Sequence, residues 1–152
     1  MAHMTRLSDI GITVIADGPE PIEANGNALP VLSEIETMLT KLVDEGRPDA
    51  IDLRSLPMLP GDYARLQDAL GRGEVRATID ALGASEVYET GIHGVWWVIH
   101  RNLDGDTTGE FIEVTWAPEI LTTPRADAKR GLQQLRDRIR DATTDAEGEA
   151  ND

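Results

Sequence analysis

Cysteine is absent from this chain of 152 residues. That absence excludes disulfides, thiolate catalysis, zinc ribbons and cysteine-ligated iron–sulfur clusters. It is compatible with a reducing cytoplasm, the compartment we expect. Aromatic residues are scarce at 4%, made up of one Phe, two Tyr and three Trp. Basic residues are outnumbered: 14 Lys+Arg face 28 Asp+Glu, for a formal net charge of −14. A surface of that sign repels phosphate, so neither nucleic acid nor an anionic lipid surface is an expected partner. It favours solubility and can steer the protein towards basic partners. No apolar run approaches the ~20 residues that a spanning helix needs. No cationic start leads into an apolar stretch, so no signal peptide is expected. The length is that of one domain, large enough to bury a core without a metal or a disulfide as staple.

Met1-Ala2-His3-Met4 reads as a vector-derived remnant, and residues 1–6 are set aside as an unstructured start. Residues 7–142 form the single domain. Residues 143–152 are polar and acidic and read as an unstructured tail.

Within the domain the periodicity changes several times. Ile10, Ile12 and Val14 alternate with Gly11 and Thr13, which predicts a strand over Leu7–Ala16. Asp17–Asn27 is rich in Gly, Pro and Asn and reads as a loop. Over Ala28–Glu45, Val31, Leu32, Ile35, Met38, Leu39, Leu42 and Val43 recur at three and four residues, one wide apolar stripe of a helix. Pro30 suits its first turn, Gly46 its left-handed end, and Pro48 prevents resumption. A short strand is expected over Ala50–Leu53 and a second helix over Gly61–Leu70. Four strand-like runs follow: Val75–Ile79, Glu86–Ile92, Val95–Arg101 and Gly109–Trp116, the last after an Asp104-Gly105 turn. Short links between consecutive strands predict an antiparallel meander. Arg125–Ala142 is a third helix, with a seam of Ala128, Leu132, Leu135, Ile139 and Ala142 and six basic residues against three acidic ones. The expected fold class is α+β, an antiparallel sheet of about four to six strands packed against two or three helices.

Few motifs carry chemistry. Gly71-Arg72-Gly73 follows a helix instead of a strand and lacks the third glycine of a dinucleotide fingerprint. His93 and His100 are seven apart, which is not the spacing of a helical zinc pair. Asn102, Asp104, Asp106 and Glu113 fall on calcium-loop positions, but Thr107 stands where that loop needs glycine, and the flanks read as strands. An alternative to a binding protein is a small acidic enzyme or metal binder using Glu110, Glu113, Asp104 and a histidine. Alternation on the third meander strand puts Val95, Trp97 and Ile99 on one sheet face and Trp96 and Val98 on the other. With helices on one face, the opposite face is either covered or a docking surface.

Four blocks, taken together, are informative. They are Ile51-Asp52-Leu53-Arg54-Ser55-Leu56-Pro57, Leu70-Gly71-Arg72-Gly73-Glu74-Val75, Glu89-Thr90 through Gly94-Val95-Trp96-Trp97-Val98, and Gly109-Glu110-Phe111-Ile112-Glu113-Val114. In this order they resemble the C-terminal domain of the HupH/HyaF hydrogenase expression/formation family, over about Leu29–Leu121. The resemblance implies a cytoplasmic, chaperone-like accessory factor for [NiFe] uptake hydrogenase, without catalysis and without a cofactor of its own. Its implied partners are an immature subunit, the iron–sulfur small-subunit precursor or else the large subunit, and other maturation factors. The expected binding residues are Asp52 and Arg54 side by side on one strand, Glu74, Trp96, Trp97 and Phe111 as anchors, and Glu110 and Glu113 as a polar rim. A homodimer through the open sheet face is a further possibility.

Overall fold

In a computed structural model, residues 26–149 are described, with side chains through residue 146. The strand expected over Leu7–Ala16 lies outside the described residues. Helix α1 (Ala28–Glu45) turns Val31, Ile35, Met38 and Leu42 inward and buries all four. Its end is set by Gly46, whose φ of 67° is open to glycine at little steric cost. The Gly46 N–H donates to the Leu42 carbonyl at 2.9 Å. Helix α2 (Pro60–Leu70) begins with proline, whose missing N–H costs nothing in a first turn. Leu66 and Leu70 are the apolar side chains it buries.

Strands β1 (Asp49–Asp52), β2 (Arg76–Asp80), β3 (Ala84–Glu89), β4 (Val95–Arg101) and β5 (Thr107–Val114) form one antiparallel sheet in the order β1-β5-β4-β3-β2. The meander β2-β3-β4-β5 matches the sequence expectation, and β1 adds to its far edge. The alternation of side chains across the pleat then divides the sheet. Ile51, Ile112, Val114, Val95, Trp97, Ile99 and Tyr88 join the inner residues of α1 and α2 in the main core. On the reverse face, Val87, Trp96 and Val98 are buried together, with Ile79 and Phe111 packed beside them.

Several boundaries differ from the sequence reading: β3 is Ala84–Glu89 and not Glu86–Ile92, β5 is Thr107–Val114 and not Gly109–Trp116, and two further differences have a local cause. Strand β1 stops at Asp52, and Leu53–Ser55 is a 3-10 turn. The cause is local: the Asp52 carboxylate accepts the Arg54 backbone N–H at 3.0 Å and bends the chain out of the ladder. The third helix, α3 (Arg125–Glu149), runs beyond Ala142, so residues 143–149 are helix and not the expected unstructured tail. Thr143 and Thr144 donate their hydroxyls to the carbonyls of Ile139 and Arg140, and Ala142 and Ala146 favour the helix.

Candidate functional site

The blocks noted in the sequence meet in space. The Gly73 N–H donates to the Glu89 carbonyl, and the Gly91 N–H to the Leu70 carbonyl, both at 2.8 Å. The crossing is tight because Gly73 has no side chain: a Cβ there would stand 2.6 Å from the Thr90 carbonyl oxygen. This clamp brings the Arg72 guanidinium over the Tyr88 ring, 4.2 Å from its centroid. Tyr88 stacks on Trp97 at 6.1 Å with planes 9° apart. The Trp97 indole N–H donates to Glu110 Oε1 at 2.8 Å. Arg72, Tyr88, Trp97 and Glu110 are thus one ladder across β3, β4 and β5, capped by a cation at one end and a carboxylate at the other. Burial, with the negative charges of Glu110 and Glu86 adding to it and the Arg72 and Arg76 charges opposing it, pushes the Tyr88 phenol up to about 12.

The middle rungs of that ladder, Tyr88 and Trp97, belong to the main core. Trp97 is fully buried in the helix-side core and offers no surface to a partner. Trp96 is only 7% exposed, and its indole N–H donates to the Thr115 carbonyl at 3.2 Å. Phe111 lies beside it on the same face, edge-on to His100. Asp52 and Arg54 do not stand side by side: Asp52 closes β1, while the Arg54 guanidinium bonds the Thr107 carbonyl. Glu74 is exposed between α2 and β2, and its carboxylate bonds no described residue. The turn beside it is held by backbone groups. Glu110 and Glu113 point to opposite faces, since one belongs with Trp97 and the other is cross-strand to Trp96.

The residues named for the metal-binding alternative are not brought together. Asp104 sits in the β4–β5 turn, Glu110 on the helix side and Glu113 on the reverse face. Among the described residues no group of three or more His, Cys, Asp or Glu is placed to hold a metal. The calcium-like frame is a hairpin connection, in which Asn102 Oδ1 accepts the Asp106 N–H at 2.8 Å. No described helix is long and apolar enough to cross a membrane.

Sequence reasoning missed a different surface. Trp116 follows the end of β5 and is 66% exposed, with Ile120 and Leu121 exposed in the 3-10 turn Glu119–Leu121. By parity Trp116 would share the face of Ile112 and Val114, but β5 ends at Val114, two residues earlier. Its chain neighbours Thr115 and Ala117, and not Trp116 itself, line a cleft of about 300 Å³ together with Asp49, Ala50, Glu113 and Glu119. It carries three carboxylates and no basic residue, and it opens along β1, an edge strand among the described residues. Burial raises the Glu113 carboxyl above its ordinary value, His100 opposes the shift and Glu119 adds to it.

Known proteins are similar to this chain in sequence and in fold. The family described as "HupH hydrogenase expression protein, C-terminal conserved region" matches residues 26–142. "Hydrogenase expression/formation protein HupH" of Rhizobium leguminosarum bv. viciae is 34% identical over 123 residues, which is 81% of this chain and 43% of that protein. "Hydrogenase expression/formation protein HoxQ" of Azotobacter vinelandii is 29% identical over 118 residues, 76% of this chain and 41% of that protein. The chain therefore spans less than half the length of these curated relatives. A solved structure, "Hydrogenase expression protein HupH from Thiobacillus denitrificans ATCC 25259", superposes with a TM-score of 0.74 at 45% identity, covering 78% of this chain and 99% of that one. By the extent of the family match and the agreement in fold, the chain belongs to the family of the HupH C-terminal conserved region.

Proposed function

We propose that this chain serves the maturation of [NiFe] uptake hydrogenase by reversibly binding an immature subunit, the iron–sulfur small-subunit precursor, in the cytoplasm. Family membership supports the pathway. The observation that carries the binding mode is the exposed Trp116 in a segment whose flanking residues, Thr115 and Ala117, line the carboxylate-walled cleft along an edge strand. Tryptophan is the residue type most enriched among binding hot spots. A cleft of one charge sign selects a cationic partner group. The edge strand can pair with an extended segment through backbone hydrogen bonds. The bound segment on the client is accordingly extended, with an apolar side chain for Trp116 and a Lys or Arg for the cleft. Of the residues expected from sequence, Glu113 lines this cleft. No covalent step is required.

The test is a calorimetric titration of the purified protein with the precursor small subunit, with the large subunit in parallel. Saturable binding to the small subunit is expected, weakened about tenfold or more by Trp116→Ala and less by Glu113→Gln. Binding to the large subunit alone overturns the choice of client. Binding to neither overturns the reading.

A further inference from the structure

Helix α3 has no partner within the described protein. None of its described residues is buried, and Leu132, Leu135 and Ile139 are 49%, 56% and 58% exposed. Yet its apolar residues are not scattered. Ala128, Leu132, Leu135, Ile139, Ala142 and Ala146 recur at intervals of four and three over the length of the helix. That strict spacing is the seam of a two-helix coiled coil, narrower than the stripe of a helix that packs on a sheet. Of the positions bordering the seam, Lys129, Arg136 and Arg138 are basic and Asp145, near its end, is acidic. Pairing α3 with another α3 antiparallel would set the Arg136 side chains of the two copies against each other, and likewise Arg138. The seam therefore suits an acidic partner helix.

Such a helix is present in the same protein. On α1, Leu29, Leu32, Glu36, Leu39 and Val43 also recur at three and four, beside the buried stripe. Leu29 and Val43 remain 70% and 66% exposed, while Leu32 and Leu39 between them are half-buried against the main core and present only their outer edges. Leu39 and Val43 floor a groove of about 270 Å³ whose charged walls are Glu36 and Asp44. Charge complementarity extends over the whole body: residues 26–124 hold seventeen acidic and seven basic side chains. We propose that two copies of this chain associate by exchanging α3, the cationic seam of each lying on the outer acidic seam of α1 of the other. The association is isologous, so it closes as a two-fold dimer and does not propagate. It uses neither sheet face, and it stands or falls independently of client binding.

The absence of cysteine makes the test clean. Chains carrying Val43→Cys alone and Leu135→Cys alone are mixed, oxidised gently and resolved without reductant. A cross-linked dimer from the mixture, far exceeding that from either variant by itself, is the expected result. Sedimentation of the unmodified chain should show a dimer that weakens as ionic strength rises. The double change Leu132→Lys and Ile139→Lys, at exposed positions, should weaken it about thirtyfold or more while leaving the circular dichroism of the body intact. A monomer at every concentration overturns the proposal. So does equal cross-linking by Leu135→Cys alone, which would place α3 against α3. A single chain carrying both Val43→Cys and Leu135→Cys that closes its disulfide within one copy would overturn it too.

Discussion

Replacing Asp62 by alanine removes a carboxylate that is fully buried near the start of α2. Its Oδ1 accepts the backbone N–H groups of Gly26 and Asn27 at 3.0 and 3.1 Å, and its Oδ2 accepts that of Leu59 at 3.0 Å. One side chain thus ties the entry of α1 to the entry of α2. A hydrogen bond to a charged group contributes about 1.5–3 kcal/mol, and the loss is less than additive where a freed N–H regains water. Gly26 is exposed and recovers part of its bond that way. The expected destabilisation is therefore about 3–5 kcal/mol, or roughly 10 °C or more in Tm for a domain of this size. Asp62→Asn keeps an Oδ1 acceptor but presents an amide donor to the Leu59 N–H. It should fall between wild type and Asp62→Ala. Urea unfolding followed by tryptophan fluorescence measures both, with the denaturant slope checked for constancy. A loss below about 1 kcal/mol for the alanine variant would refute this account of Asp62.

Other expectations follow from the same geometry. Gly73→Ala drives a methyl group into the Thr90 carbonyl and the Glu89 side chain, and should cost about 1–3 kcal/mol in chemical denaturation. Gly131→Ala, in open space on α3, should instead stabilise that helix by up to about 1 kcal/mol, read as a gain in helical dichroism. Trp96→Ala should cost about 3–5 kcal/mol as a core truncation, whereas Trp116→Ala should stay within about 0.5 kcal/mol. Equal losses would mean that the two indoles are misassigned. The two tyrosines also report on pH. Burial raises both phenols, Tyr88 to about 12, so the fold favours their neutral forms. That stabilisation is complete below the ordinary value of 10.0 and is lost as pH rises from there through about 12. Ultraviolet titration should show both rings ionising late in the folded protein and near 10 in urea; coincident titrations would contradict the burial of Tyr88.

Much of the fold was legible because it is written in periodicity. The stripe of α1 and its glycine stop, the meander of four strands, and the opposite orientation of Trp96 and Trp97 all follow from spacing. The site was less legible because it depends on where elements end. Asp52 and Arg54 fit an alternating strand on paper, but the Asp52 carboxylate captures the Arg54 N–H and ends the strand between them. Trp116 fits the inward face of β5 by parity, yet pairing stops before it. Trp96 read as a surface anchor, because alternation tells which face a side chain takes and not whether that face is covered. Asp62 left a faint local sign, an acid two residues after Pro60 in a first turn. Its bonds to Gly26 and Asn27 span more than thirty residues, and no local pattern encodes them.

The three tryptophans supply the most direct test of the binding account. Each indole N–H gives its own signal in a nitrogen-labelled NMR spectrum, so one titration with the precursor small subunit reads the reverse face, the helix-side core and the exposed patch at once. The account predicts that the Trp116 indole signal shifts or broadens through saturation, that of Trp96, bonded to the cleft-lining Thr115, follows with a smaller shift, and that of Trp97 holds its position. A response at Trp96 or Trp97 with Trp116 unmoved, or no response at any of the three, would contradict it.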